Sequence, residues 1–267
     1  MSTEIRTVRT DTFEMDYFRF GAEGKRPVVV LPGLSIQSVM PAADAIVGQF
    51  RALSEAYDVY VFDRRKSIPE GYRIADMAED MHEVLRILQL SEVNLYGVSQ
   101  GGMIAQTLTL RHPEDVHAIA LCSTACRIKD TEADGFVKWI SLAEERNAEA
   151  LVMTFSELVY TPAVYAQYKD YLLQSAAGIS DEQLQSFVLK AKATTGFDVY
   201  DELNQIHCPV MVLGGSEDRV LHENAAVEIA ERLGCELYIY AGYGHAVYDE
   251  APDFVERVSD FYRKYES

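Results

Sequence analysis

The stretch VNLYGVSQGGM, residues 93–103, holds Ser99 two positions after Gly97 and two positions before Gly101. This G-x-S-x-G pattern arises by chance in about one chain of this length in ten, because glycine and serine are both common residues. The pattern alone therefore does not distinguish a nucleophilic serine from a turn serine. The segments on either side of it have to decide between the two interpretations.

The sequence around Ser99 predicts a strand, a tight turn and a helix. An apolar run precedes the serine, and helical periodicity over residues 102–112 follows it and ends before Pro113. In such a turn the flanking glycines leave room for the chain to close, and the serine hydroxyl is exposed above the edge of a sheet. The backbone N–H of Gln100, at the helix start, would then point at an oxyanion bonded to the serine.

Short apolar runs of the same kind recur along the chain and predict an α/β fold. Runs bounded by turn residues are typical of strands buried on both faces of a parallel sheet. An N-terminal segment, 6–20, alternates polar and apolar residues and predicts an antiparallel hairpin. With helical periodicity between the runs, we expect a mostly parallel sheet of about eight strands flanked by helices. The six runs lie at 27–33, 58–63, 93–98, 116–124, 208–215 and 236–241.

The strand pattern stops between residues 125 and 197, which predicts an inserted helical segment. Helix-like stretches fill this part of the chain, and Thr161-Pro162 and Ser180-Asp181 are typical helix starts. We therefore expect a core at 1–124 and 198–267 with an all-helical cap at 125–197. The four stretches are 133–146, 148–159, 163–176 and 181–193.

Composition limits the classes of partner. The 267 residues include 42 acidic and 24 basic side chains, a formal charge of −18, which repels nucleic acid and anionic membrane surfaces. No uncharged apolar run approaches the roughly 18 residues of a membrane span, and the N-terminal segment has no signal-peptide core. The four cysteines do not show a zinc or disulfide spacing. We expect a cytoplasmic protein with a small-molecule substrate, no metal or cofactor, and no nucleic-acid or membrane partner; monomer and homodimer are both compatible with the sequence.

In this context the chain resembles the α/β-hydrolase superfamily, in particular the capped type that includes esterases, enol-lactonases and carbon-carbon bond hydrolases. The resemblance implies a triad of serine, acid and histidine in that chain order. Two motifs depart from the family pattern. Relatives usually carry His-Gly where this chain has Pro32-Gly33. After the strand that ends at Asp63 they often carry D-x-R-G-x-G-x-S, whereas here Lys66 follows Arg65 and both glycines of that motif are missing.

Six histidines are candidates for the base. His245 lies in the glycine-flanked loop AGYGHAVYDE, after the predicted strand at 236–241 and before the last helix. Open α/β sheets place their sites at the carboxyl ends of strands, so this loop is predicted to face the same edge as Ser99. We predict that His245 is the base. His222 is a minor candidate, and surface or packing roles are expected for the others.

The acid should follow another strand on the same edge. Asp218 follows the run at 208–215, and Glu217 is its rival. The resemblance favours Asp218, because Gly215-Ser216-Glu217-Asp218 matches the G-x-x-D pattern of the family.

The resemblance also implies an oxyanion hole made by the backbone N–H groups of Leu34 and Gln100. Any residue except proline supplies that donor at position 34, so the missing histidine removes support rather than the hole itself. The alternative for Leu34 is a loop leucine that covers the core.

The predicted cap is rich in aromatic residues, with Trp139, Tyr160, Tyr165, Tyr168 and Tyr171. They could line a substrate cavity, or they could pack the cap helices onto the core. Trp139 and Tyr160 are the candidates for substrate contact.

The sequence predicts a serine hydrolase that cleaves an ester, thioester or lactone of a small, partly apolar substrate through an acyl-enzyme. Cleavage of a carbon-carbon bond next to a ketone, or acyl transfer to an acceptor other than water, would use the same three residues. A non-catalytic protein that binds a small molecule on the same scaffold is the alternative of another class.

Overall fold

The computed structural model describes residues 2–221 and 224–266. Eight strands form one sheet in the order β1-β2-β4-β3-β5-β6-β7-β8. The first two pairings, β1 with β2 and β2 with β4, are antiparallel, and all the others are parallel. The strands are β1 Ile5–Arg9, β2 Glu14–Gly21, β3 Pro27–Leu31, β4 Asp58–Arg65, β5 Val93–Val98, β6 Val116–Cys122, β7 Val210–Gly215 and β8 Glu236–Tyr240.

Helices cover both faces of the sheet, and this is why the central strands are continuous apolar runs. Every residue of β5 and of β7 is buried, since alternate side chains enter one or the other of two apolar clusters. The flanking helices are α1 Ala43–Gln49, α2 Arg51–Ser54, α3 Ile74–Leu88, α4 Gln100–Arg111, α9 Ala225–Leu233, α10 Val247–Glu250 and α11 Phe254–Arg263.

Periodic apolar residues fix which side of each helix is buried. On α11, Phe254, Val258, Phe261 and Tyr262 are at most 1% exposed, while the opposite side of the helix is charged. Burial of each such side chain contributes about 1.5–3 kcal/mol. The last helix is therefore part of the core that holds β5 and its neighbours in place.

Four helices lie between β6 and β7 and form the cap. They are α5 Asp130–Glu144, α6 Ala148–Val159, α7 Pro162–Ala176 and α8 Asp181–Thr194. Asn147 and Ser180 cap the N-termini of α6 and α8 through their side chains, and Thr161 precedes the proline that begins α7. The helix starts predicted at Thr161-Pro162 and Ser180-Asp181 are thus observed.

The predicted fold class is confirmed, and the structure corrects several bounds. Helices α1 and α2 were not predicted. Helix α11 is the predicted last helix, and α10 lies within the stretch AGYGHAVYDE that was predicted to be a loop. The predicted start of α9 lies at His222, outside the described residues, and the described helix begins at Ala225. The division at 124/125 and 197/198 stays a prediction.

None of the described helices combines the length and the low charge that a membrane-spanning helix needs.

Candidate active site

Ser99 lies in a strained turn between β5 and α4. Its backbone has φ 50° and ψ −116°, a conformation that residues other than glycine adopt at a cost. The Ser99 N–H donates to the carbonyl oxygen of Cys122 at 2.8 Å, and Thr124 Oγ1 donates to the Ser99 carbonyl oxygen at 2.7 Å. These bonds from the end of β6 hold the turn, and the Ser99 hydroxyl faces a cavity.

The glycines of the G-x-S-x-G pattern are required by close backbone contacts. A Cβ at Gly101 would lie 1.9 Å from the carbonyl oxygen of Leu31, and a Cβ at Gly97 would lie 2.7 Å from Gly102 Cα. Both distances are shorter than atoms can approach without a shift of the backbone. The motif therefore exists here because β3, β5 and α4 pack backbone against backbone around Ser99.

Asp218 and His245 form a buried hydrogen-bonded pair. His245 Nδ1 lies 2.7 Å from Asp218 Oδ2, and the two side chains are 3% and 9% exposed. The other carboxylate oxygen, Oδ1, accepts the N–H groups of Val220 at 2.8 Å and Leu221 at 3.0 Å. With both oxygens bound, the carboxylate is fixed, and it selects the His245 tautomer with the proton on Nδ1 and a free Nε2.

Backbone contacts bring the two loops of this pair together. A Cβ at Gly215 would lie 2.3 Å from the carbonyl oxygens of Tyr243 and Gly244, so only glycine allows the approach. The Glu217 N–H donates to the Tyr243 carbonyl at 2.9 Å, but the Glu217 side chain is exposed. Glu217 thus supports the loop through its backbone, while Asp218 contacts the histidine.

No hydrogen bond joins Ser99 Oγ to His245 within the described part of the chain. Both residues line the same cavity. In unliganded enzymes the bond between nucleophile and base is often long and shortens only when substrate binds.

The loop after β3 lies directly against Ser99. A Cβ at Gly33 would lie 3.3 Å from Ser99 Cβ, and the next residue, Leu34, lines the cavity. Among the described residues, neither the Leu34 N–H nor the Gln100 N–H has a hydrogen-bond acceptor. Two unused donors beside a serine hydroxyl are what an oxyanion hole requires.

Two basic side chains hold this loop by its backbone carbonyls, and neither was predicted from the sequence as a site residue. Arg64 Nη2 donates to the Pro32 carbonyl at 2.6 Å, and Lys190 Nζ from α8 donates to the Ser35 carbonyl at 2.8 Å. Burial lowers the pKa of Lys190 to about 8 and lowers the pKa of Arg64. The loop after β3 is thus held at Pro32 from the core and at Ser35 from the cap.

The side chain of Gln100 joins the same network. Its Nε2 donates to the Lys190 carbonyl at 2.8 Å and to Thr194 Oγ1 at 2.7 Å, so α8 is docked on the residue next to Ser99. Gln100 therefore links the cap to the turn that holds Ser99.

The cap is also tied to the His245 loop. The Ala246 N–H donates to the Val159 carbonyl at 2.9 Å, and Glu250 accepts the Thr161 N–H at 2.9 Å and the Thr161 hydroxyl at 2.7 Å. Arg219 also donates to backbone carbonyls at the C-terminal end of α6. These bonds fix the junction of α6 and α7 next to His245.

A cavity of about 500 Å³ lies between core and cap. Ser99, His245 and Leu34 line it together with Trp139 and Tyr160, and most of its wall is apolar. Its volume suits a small molecule. Of the remaining cap tyrosines, Tyr168 is 49% exposed and Tyr171 is 68% exposed, and neither lines the cavity.

The other described histidines lie outside the cavity, and His222 lies outside the described residues. His82, His112 and Asp115 form the one group of potential metal ligands found in the described ranges. The two imidazole rings are stacked 3.7 Å apart at 7°, so their in-plane lone pairs do not converge on one ion. His82 Nδ1 is instead bonded to Asp115 at 2.6 Å, and His112 Nε2 to Glu79 at 3.0 Å.

The chain is similar to known proteins in sequence and in structure. A family model described as alpha/beta hydrolase fold matches residues 26–252. The chain is 27% identical to a Rhizobium rhizogenes protein provisionally named carbamate hydrolase RutD, covering 80% of this chain and 86% of the relative. It is 28% identical to carboxylesterase YbfK of Bacillus subtilis, covering 90% and 81%.

Among solved structures, the enol-lactonase of Burkholderia xenovorans superimposes with a TM-score of 0.84. The match covers 97% of this chain and 100% of the enol-lactonase, at 20% sequence identity. At that identity the likeness shows a shared fold alone.

Proposed function

This chain belongs to the α/β-hydrolase fold family, and on that premise we propose that it is a serine hydrolase. Its reaction is the cleavage of an ester, thioester or lactone of a small, partly apolar substrate through an acyl-enzyme. The two sequence relatives named above, a carbamate hydrolase and a carboxylesterase, are hydrolases by name. That agreement supports hydrolysis, and the residues of the cavity support the finer proposal.

One observation carries the proposal. Ser99 in its strained turn and His245, which is hydrogen-bonded to Asp218, line one apolar cavity, beside the unused N–H groups of Leu34 and Gln100. A nucleophile, an oriented base and two oxyanion donors are the groups that acyl transfer needs.

Acylation follows from these positions. His245 Nε2 takes the proton of Ser99 Oγ as the oxygen attacks the substrate carbonyl carbon, and the negative charge moves to the carbonyl oxygen. The N–H groups of Leu34 and Gln100 stabilise that charge. His245 then gives the proton to the leaving oxygen or sulfur, and the bond to the leaving group breaks.

Deacylation repeats the steps with water as the nucleophile. His245 takes a proton from water, hydroxide adds to the acyl carbon, and collapse of the second oxyanion returns the proton to Ser99 Oγ. Asp218 holds the Nδ1 proton of His245 throughout and stabilises the imidazolium that forms.

Nitrophenyl esters of graded acyl length test the proposal. We expect turnover of short and medium acyl chains that fit a cavity of about 500 Å³, and a decline for longer ones. Ser99→Ala should lower kcat by about 10⁴-fold or more, because the nucleophile is lost. Ser141→Ala, an exposed serine on α5, is the matched control.

Ester turnover that survives Ser99→Ala would overturn the proposal. Hydrolysis of a carbon-carbon bond next to a ketone, with no ester turnover, would replace the substrate class while keeping the triad.

A further inference from the structure

The active-site cavity contains one carboxylate that the reaction does not use. Asp249 lies on α10, four residues after His245, and lines the same cavity as Ser99. Its side chain is accessible to solvent, yet burial among the surrounding protein atoms raises the pKa of its carboxyl to about 6. Surrounding protein atoms can raise the pKa of a carboxyl that still contacts solvent, because they replace part of its hydration.

Asp249 is only partly satisfied by the protein. Gln49 Nε2 donates to Asp249 Oδ1 at 2.9 Å and to the Tyr248 carbonyl at 2.9 Å. In the described ranges no other side chain bonds to the carboxylate. The neighbouring carboxylate of Glu250 is negative and raises the pKa of Asp249 further. Gln49 is a neutral donor, so no side chain among the described residues balances the charge of Asp249.

The cavity wall carries no positive side chain to balance this charge. Neither lysine nor arginine lines the cavity in the described part of the chain. Aromatic side chains line the cavity instead. Those of the core are Phe50, Tyr96 and Tyr248, and those of the cap are Trp139, Phe155 and Tyr160. The Tyr96 hydroxyl is also buried and lacks a hydrogen-bond partner within the described residues.

An anionic group and aromatic faces that line one cavity attract a cation and repel an anion. The face of an aromatic ring stabilises an ammonium ion, and a nearby carboxylate adds to this. A substrate carboxylate would instead meet a like charge with no positive partner in the cavity.

We propose that this cavity selects substrates that carry an ammonium group and rejects substrates that carry a carboxylate, with Asp249 as the residue that makes the distinction. The inference rests on the proposed function and names its substrate class. Asp249 is a specificity residue here and takes no part in the proton transfers.

Isosteric esters test the inference. In one pair the charge is in the alcohol: choline butyrate against 3,3-dimethylbutyl butyrate. In the other it is in the acyl group: nitrophenyl 4-(trimethylammonio)butanoate against nitrophenyl 5,5-dimethylhexanoate, with nitrophenyl hemiglutarate as the anionic member. Each pair differs by one charge at constant shape, so the ratio of kcat/KM values cancels the common chemistry.

For the wild type we expect the cation to be preferred over its neutral isostere by about tenfold in at least one pair, with the hemiglutarate the poorest substrate. Asp249→Asn keeps the shape of the side chain and should bring that ratio within about threefold. Asp260→Asn removes one negative charge from the exposed side of α11 and should leave the ratio unchanged.

A neutral or anionic ester preferred in both pairs, or a ratio that Asp249→Asn does not alter, would overturn the inference while leaving the hydrolase proposal intact. If no ester is hydrolysed, the proposed function fails and the inference is read from binding instead. Trp139, the single tryptophan, lines the cavity and reports binding by its fluorescence. Choline should then bind more tightly than 3,3-dimethylbutan-1-ol, and equal or weaker binding of choline would refute the inference.

Discussion

At the scale of single residues, the candidate site depends on how a few side chains are held. Asp218 has both carboxylate oxygens occupied, one by His245 and one by two backbone N–H groups, so its position is fixed before substrate enters. Its neighbour Glu217 has an exposed side chain. The two adjacent acids therefore allow a matched experiment.

Asp218→Asn should lower kcat by about 10⁴-fold, because the amide no longer holds His245 in the useful tautomer. Glu217→Gln should change kcat by less than about twofold. Steady-state kinetics on one nitrophenyl ester measures both variants. Equal losses in the two would place the acid elsewhere.

Lys190 of the cap holds the loop after β3, which carries the proposed oxyanion donor Leu34. Lys190→Met removes the donor to the Ser35 carbonyl at nearly constant volume. We expect kcat to fall by about tenfold with KM little changed, because a displaced Leu34 N–H weakens stabilisation of the transition state rather than binding of the substrate.

The control for this variant is Lys192→Met on the same helix, an exposed lysine paired with Glu144. It should leave both constants as they are. A rise in KM at constant kcat for Lys190→Met would show that the lysine shapes the cavity instead of positioning the oxyanion loop.

At the scale of elements, the cap is fixed to the segment that follows His245 through the junction of α6 and α7. Glu250 accepts two hydrogen bonds from Thr161 there. Glu250→Ala removes both bonds at a cost of about 1–3 kcal/mol.

We expect Glu250→Ala to speed hydrogen exchange of the α6 C-terminal amides and to raise KM, because the cap wall of the cavity becomes mobile. Glu256→Ala, an exposed acid on α11, is the control. Unchanged exchange at the end of α6 would show that other contacts, such as Ala246 with Val159, suffice to hold the junction.

The elements were predictable where local pattern decides them. The strands β3 to β8 are apolar runs, all buried for most of their length except the edge strand β8, and the cap helices α7 and α8 begin at recognisable N-terminal residues. Both kinds of element were therefore predicted from sequence. Helices α1 and α2 were missed because they are short, with seven and four residues, and much of their surface is exposed. Helix α10 was missed because it is a single turn of four residues inside the predicted loop, and Pro252 separates it from α11.

The candidate site was predictable only in part, for the same physical reason. Ser99, Asp218 and His245 follow strands in a known chain order, and the structure brings the last two into contact. Lys190 and Ser35 are 155 positions apart in sequence, and Gln49 and Asp249 are 200 positions apart. The first contact arises from packing of the cap on the core and the second from packing within the core, and no local pattern in a single sequence records either.

At the scale of the whole molecule, the charge of the cavity is linked to stability. The pKa of Asp249 is raised to about 6 in the folded protein, while an unfolded aspartate has a pKa of about 3.9. Between these values the folded state binds more protons than the unfolded state, so this group lowers stability as pH rises from about 4 to about 6. Above pH 6 the penalty is complete, and below pH 4 it is absent.

Asp249→Asn removes that penalty. We expect the variant to be more stable than the wild type at pH 7.5, with the difference shrinking toward zero at pH 4. Thermal unfolding at several pH values measures the difference, and Asp260→Asn, at an exposed acid, should not show this step. A stability gain that is largest at pH 4 would contradict the raised pKa of Asp249 in the folded protein.

The proposed reaction depends on Ser99 being a nucleophile activated by His245. A fluorophosphonate probe, followed by mass analysis of the peptides, tests this directly. We expect one adduct per chain on Ser99, formed far more slowly in His245→Ala and absent in Ser99→Ala. Well-folded wild-type protein that carries no adduct, or carries it on another residue, would contradict it.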